Sequence, residues 1–181
     1  MRIGLVRHFK VEHPRLRGWV TGEQFNRWVA EYDEARILPE ACADYGEGWG
    51  YCISSDLSRA ADTARHIFTG EIKYSPQLRE IGVTAASGSL RGFKLPSVCW
   101  LVLGRLLWLS GHASQPESRQ ATSRRIKAML DHIEARPEQT DVLLVTHGLL
   151  MKQLELELRR RKYTGGRMSH PRNGQLYVYE K

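Results

Sequence analysis

With 181 residues, 41% hydrophobic and 26% charged, the chain has enough apolar material for one packed domain, and its composition is neither low-complexity nor fibrous. Its 27 lysines and arginines outnumber 20 acidic residues, a net charge of +7 that favours anionic partners. The three cysteines, Cys42, Cys52 and Cys99, show no CxxC spacing and read as reduced, buried thiols of a cytoplasmic protein.

Met1 runs directly into the strand pattern RIGLV with no charged and then apolar leader, so no signal peptide is expected. Thr21-Gly22-Glu23-Gln24 has the form of a capping box, and Phe25, Trp28, Val29 and Tyr32 follow at i, i+3, i+4 and i+7, predicting an amphipathic helix. The glycine-rich YGEGWG leads into a second strand, YCIS. Ser55 or Asp56 is expected to cap the next helix, whose Leu57, Ala60, Ala61, Ala64 and Phe68 form one stripe. EIKY is a third short strand, and residues 82–94 read as loop.

The longest apolar run, LPSVCWLVLGRLLWL at 95–109, is too short to span a bilayer and carries Arg105 near its middle, so no membrane association is expected. It predicts a helix with Pro96 in the first turn and Trp100, Leu103 and Leu107 toward the core. A second capping box, Ser114-Gln115-Pro116-Glu117, precedes a helix with Ile126, Met129, Leu130 and Ile133 on one face, stopping near Pro137. DVLLVT reads as a strand buried on both faces. The following helix carries Met151, Leu154 and Leu158. It runs into the basic cluster RRRK at 159–162, which complements the helix dipole and has no aromatic platform for nucleic acid. GQLYVYE closes the chain as a strand.

Strands alternating with helices predict an α/β sandwich around a mostly parallel sheet, whose ligands bind beyond the carboxyl ends of the strands. Arg7 and His8 end the first strand, and His147 ends DVLLVT. If those strands are parallel neighbours, the imidazoles meet in one crevice. Arg59 falls in the first turn of the helix after the second strand, roughly 200° from Leu57 at ~100° per residue, off the apolar stripe and at a helix end that favours anions. Two arginines, two histidines and a helix N-terminus make a cradle for a phosphoryl group. Glu80, in QLREIG after the third strand, would reach the crevice and donate a proton to a leaving group. His13, His66, His112, His132 and His170 read as surface or structural residues. His112 and Glu12 are the next candidates for the acid.

The segments LVRHF, SSDLSRAADTA, LREIG, PESRQATSRR and VTHG, in that order, resemble the histidine phosphatase superfamily, with the phosphoglycerate mutase-like fold, over nearly the whole chain. The resemblance implies a three-layer α/β/α sandwich with an antiparallel edge strand. It implies a single domain over residues 1–181, in which 88–112 is a cap, a subunit contact or a packing helix. As a cap it would bring Arg91, Lys94 and Arg105 to an anionic substrate. The implied activity is phosphomonoester hydrolysis. His8 would form a phosphohistidine, Arg7, Arg59 and His147 would hold the phosphoryl oxygens, and Glu80 would protonate the leaving oxygen and then activate water. No metal and no cofactor are expected, because the arginines supply the positive charge. The expected partner is an anionic phosphorylated substrate rather than nucleic acid, and a homodimer is one open arrangement.

The chain departs from the family pattern at Phe9, where glycine is usual. Phe9 either takes an ordinary φ or reshapes the pocket mouth, and it could touch an apolar leaving group. KVEHPR and VTAASGS replace two further family elements, which argues against a mutase. A mutase and a non-catalytic phosphate-binding module are the alternatives.

Overall fold

The computed structural model describes residues 1–39, 45, 48–85, 92–136 and 140–181. In chain order these form β1 (Arg2–Arg7), β2 (Lys10–Val11), β3 (Trp19–Thr21), α1 (Gly22–Glu34), β4 (Ile37–Leu38), β5 (Tyr51–Ser55), α2 (Ser58–Ile67), β6 (Ile72–Ser75), β7 (Lys94–Pro96), α3 (Ser97–Ser110), α4 (Arg119–Glu134), β8 (Val142–Thr146), α5 (Gly148–Arg160), β9 (Thr164–Gly165) and β10 (Leu176–Glu180). The chain divides into two compact units, Met1–Glu12 with Arg36–Glu80 and Arg125–Lys181, and His13–Ala35 with Ile81–Arg124.

The first unit is built on a six-stranded sheet of order β6-β5-β8-β1-β10-β9. β6, β5, β8 and β1 are mutually parallel, and β10 joins the far side of β1 antiparallel. The antiparallel strand is next to the edge rather than at it, because the two-residue β9 pairs with it. Val142, Leu143, Leu144 and Val145 of β8 are all 0% exposed, as an apolar strand covered on both faces must be. Side chains alternate across the sheet: Val6, Cys52, Leu143 and Val145 pack with Ala60 and Ala64 of α2. Ile3, Leu5, Ile53 and Leu144 point to the opposite face and are equally buried. Each such side chain contributes roughly 1.5–3 kcal/mol by leaving water.

α2 starts at Ser58 with Leu57 in the cap position, so neither Ser55 nor Asp56 caps it. Ser55 Oγ accepts the Leu57 N–H at 3.3 Å, and the Asp56 carboxylate is taken by the Arg79 guanidinium at 2.6 and 2.7 Å. The basic cluster at the end of α5 is neutralised within the unit: Arg159 pairs with Glu155, Arg160 with Glu157, and Arg161 with Asp131, Glu134 and Glu157.

Phe9 is 2% exposed and packs with Val6, Tyr45, Cys52, Ala60 and Ala64. Its φ is ordinary, since Lys162 is the only described non-glycine residue with positive φ. The ring therefore belongs to the core and neither forms the pocket mouth nor meets a leaving group. It needs a glycine opposite: Gly174 has φ +68°, and a Cβ there would lie 3.0 Å from two carbons of the ring.

In the second unit β3 and β7 pair antiparallel, and α1 opens with the expected capping box. Thr21 Oγ1 accepts the Gln24 N–H at 3.2 Å, and Gln24 Oε1 accepts the Thr21 N–H at 2.8 Å. Trp100 is fully buried with Val20, Phe25, Val83 and Ala85, and its indole N–H donates to the Val20 carbonyl at 2.8 Å. The inward line of α3 runs Trp100, Gly104, Trp108, while Leu103 and Leu107 are half-buried. Gly104 explains the shift. A Cβ there would come within 2.4 Å of Val83 Cγ2, so the helix lies closest to residues 83–84 at this turn. Val98, Leu101, Val102, Leu106 and Leu109 face outward, 41% to 60% exposed.

Arg105 donates to the Ile81 carbonyl at 2.8 Å, so its guanidinium serves the packing of α3. Residues 88–91 of the expected cap, including Arg91, lie outside the described residues. α4 begins at Arg119, so the second expected capping box, Ser114–Glu117, does not stand at its start. Gln115 instead brackets Thr84, accepting its N–H at 3.2 Å and donating to its carbonyl at 2.9 Å. The Ser118 hydroxyl meets the start of α4, accepting the Ala121 N–H at 3.2 Å. Cys52 is buried as expected, but Cys99 is exposed, and Cys42 lies outside the described residues. Among the described residues no helix is long and apolar enough to cross a membrane.

Because Phe9 is a core residue, Phe9→Ala should lower unfolding free energy by about 3–5 kcal/mol in urea denaturation. A loss under ~1 kcal/mol would contradict its place in the core.

Candidate active site

The site forms where β1, β5 and β8 end together. Arg7 pairs with Thr146 in register, and the His8 N–H continues the ladder to the Thr146 carbonyl at 2.9 Å. His8 Nδ1 lies 2.6 Å from the Phe9 carbonyl oxygen. A carbonyl only accepts, so Nδ1 carries the proton and Nε2 keeps its lone pair. The surrounding backbone is fixed from two sides. The Phe9 N–H donates to Thr63 Oγ1 at 2.9 Å, and that hydroxyl donates to the Arg59 carbonyl at 2.7 Å. Asn173 donates to the His8 carbonyl at 2.7 Å, and the Gly174 N–H donates to the Arg7 carbonyl at 2.9 Å.

His8 is 2% exposed. Burial, followed by the charges of Arg59 and Arg7, lowers its pKa from 6.5 to about 3, against the opposing pull of the Phe9 carbonyl. His147 ends β8 in the cap position of α5, and the two imidazole centroids are 5.1 Å apart. Its pKa is pushed well below the ordinary value by burial first, then by Arg59, His8, Arg7 and Arg125. Burial and the neighbouring guanidinium groups thus disfavour the charged form of both rings. Its Nε2 lies 2.9 Å from Ser55 Oγ.

Arg59, in the first turn of α2, is 2% exposed. It is off the apolar stripe, as expected, yet its side chain lies inside the protein. Arg7 is anchored by an Nη1–H donated to the Pro171 carbonyl at 2.9 Å. Glu80 sits on the amino end of α5, its carboxylate oxygens accepting the N–H groups of Leu149 at 3.3 Å and Leu150 at 3.1 Å. It thereby supplies the side-chain cap that His147 does not, where the helix dipole favours an anion. Arg7, His8, Arg59, Glu80 and His147 thus all fall within the first unit, with Glu80 and His147 on the same helix end. Glu12 is exposed, and exposed His112 belongs to the second unit, its Nδ1 2.9 Å from Ser114 Oγ.

Four contributors escaped the sequence. Arg125, in the PESRQATSRR segment, adds positive charge at His147. Thr63, inside SSDLSRAADTA, braces the nucleophile loop, and Ser55 touches His147 instead of capping a helix. Asn173 carries no local signal, since its role exists only once β10 has paired with β1. Among the described residues no cluster of three or more His, Cys, Asp or Glu side chains is placed to hold a metal.

Guanidinium groups, that of Arg59 buried, beside two buried imidazoles at the carboxyl edge of a parallel sheet are the features of a phosphoryl-binding α/β protein. A model of the histidine phosphatase superfamily (branch 1) matches residues 3–180, and the chain belongs to that superfamily. As such it is an enzyme that hydrolyses phosphomonoesters. Its fold is similar to that of a putative alpha-ribazole-5'-P phosphatase from Escherichia coli str. K-12 substr. MG1655, with TM-score 0.58 and 15% identity over 98% of this chain and 89% of that one. It is also similar to a mycobacterial glucosyl-3-phosphoglycerate phosphatase, with TM-score 0.53 and 17% identity over 98% and 88% of the two chains. No curated protein matches the chain by sequence.

The depressed pKa of His8 makes stability depend on pH with a definite sign. Between pH 6.5 and about 3 the unfolded chain binds a proton at this residue and the folded chain does not. The contribution of neutral His8 is complete above 6.5 and is lost as pH falls, by ~1.4 kcal/mol per pH unit. Urea unfolding at pH 7 and pH 5 should show the parent losing more stability than His8→Asn. Equal losses would mean that His8 is protonated in the folded state.

Proposed function

We propose that the chain hydrolyses a phosphorylated small molecule or phosphoprotein through a phosphohistidine on His8 Nε2. The observation that carries this is the tautomer of His8, with Nδ1–H held by the Phe9 carbonyl and an Nε2 lone pair on a ring kept neutral among guanidinium groups. Nε2 attacks phosphorus as the bond to the leaving oxygen breaks. Arg7, Arg59 and His147 bind the three phosphoryl oxygens and stabilise the charge that builds on them. Glu80 gives the leaving oxygen its proton. Its carboxylate then takes a proton from water, which attacks phosphorus and releases His8 and inorganic phosphate. The two α5 amides that Glu80 accepts place it at the same helix end as His147, within the candidate site. The guanidinium groups take the electrostatic role a divalent ion fills elsewhere, so no metal is needed. Two free thiols, Cys52 and Cys99, support a cytoplasmic setting. The pairing of Arg159, Arg160 and Arg161 with acids supports a small anionic partner over nucleic acid.

A phosphomonoester panel should reveal turnover that survives EDTA, and His8→Ala should abolish both turnover and acid-labile phosphoenzyme. Residual turnover within a few-fold of the parent would sink the assignment of His8, and full loss in EDTA restored by one divalent ion would sink the metal-free mechanism. Glu80→Gln should slow single-turnover phosphorylation by alkyl phosphates ~10²–10⁴-fold while barely affecting 4-nitrophenyl phosphate, whose phenolate needs no proton. Equal losses on both substrates would assign Glu80 to shaping the α5 terminus alone.

A further inference from the structure

We propose that Ser55 is a positioning residue that fixes the tautomer of His147, so that Nδ1–H of that ring is the donor offered to a phosphoryl oxygen. The assignment rests on the hydrolase function proposed for this site.

Ser55 is the last residue of β5 and is 0% exposed. Its Oγ accepts the Leu57 N–H at 3.3 Å and lies 2.9 Å from His147 Nε2. Burial and nearby guanidinium groups favour the neutral form of His147, in which one ring nitrogen carries a proton and the other a lone pair. Its Nδ1 is buried and has no hydrogen-bond partner among the described residues.

Two arrangements satisfy the 2.9 Å contact. In the first, Nε2–H donates to Oγ, and Nδ1 is left with a lone pair. Phosphoryl oxygens are acceptors, so that lone pair would repel them. In the second, the serine O–H donates to Nε2, and Nδ1 carries the proton. The hydrogen bonds then run in one direction, from the Leu57 amide to Oγ and from Oγ to Nε2, each polarising the next, and Nδ1–H is left as the ring's donor. An unsatisfied buried donor is unfavourable in the folded protein, and a phosphoryl oxygen is the acceptor that relieves it.

The two imidazoles are thereby assigned opposite tasks by single neighbours. The Phe9 carbonyl occupies Nδ1 of His8 and leaves Nε2 as nucleophile. The Ser55 hydroxyl occupies Nε2 of His147 and leaves Nδ1 as donor. The chain of bonds starts at the residue in the cap position of α2, so the helix that presents Arg59 also sets the proton on His147.

The test is the imidazole ¹⁵N spectrum of the folded protein, with the His147 signals assigned by their loss in His147→Gln. The parent should show the Nδ1–H tautomer. Ser55→Ala should move the proton to Nε2 and slow single-turnover phosphorylation by 4-nitrophenyl phosphate roughly ten- to a hundredfold, with Ser55→Thr restoring both. An Nε2–H tautomer in the parent overturns the proposal without any variant having to fold. An unchanged tautomer in folded Ser55→Ala overturns it as well. If the tautomer shifts as expected but His147→Gln phosphorylates at the parental rate, the role of His147 fails, and with it the catalytic part of the proposal.

Discussion

The parallel pairing of β1 with β8 is the constraint on which the site depends. Its register places Arg7 opposite Thr146, and the next ladder bond, from the His8 amide to the Thr146 carbonyl, carries the pairing one residue past the end of β1. Had the strands slipped by one residue, every β8 side chain would change face, and His8 and His147 would no longer end side by side. Pairing with β1 on one side and β5 on the other holds β8 in this register. The pairing that builds the sheet is also what aligns the two rings.

Burial sets the electrostatics. Histidines at a sheet edge would ordinarily titrate near neutrality. Here desolvation outweighs every other influence on both rings, and neighbouring guanidinium groups push in the same direction. Positive charge is carried by arginines, which stay charged in such a place, while imidazole is reserved for roles that need a lone pair or a single proton. Glu80, tied to two amides of α5, is held at the same helix end as His147.

Much of this was legible in the sequence because it is local. RIGLV and DVLLVT are apolar runs that could only be central strands, and the residues after them had to fall at the ligand-binding edge. The Thr21–Gln24 capping box was read correctly because both partners lie within one turn. The pattern at Ser114–Glu117 misled because the bond that wins is non-local: the Gln115 amide finds a backbone partner at Thr84. Ser55 misled for a similar reason, since its second contact is 92 residues away in sequence. The side on which Phe9 falls was open because it depends on Gly174, contributed by the approach to the last strand.

Placing a core side chain immediately after the nucleophile has a consequence for how the enzyme fails. In a protein whose reactive loop is glycine-rich, that loop can loosen while the body stays folded, and activity is lost before structure. Here the Phe9 ring is clamped between α2 and Gly174, and its amide is held by Thr63. The nucleophile cannot drift without opening the core. Such coupling should make inactivation by heat or denaturant follow unfolding of the core, rather than precede it.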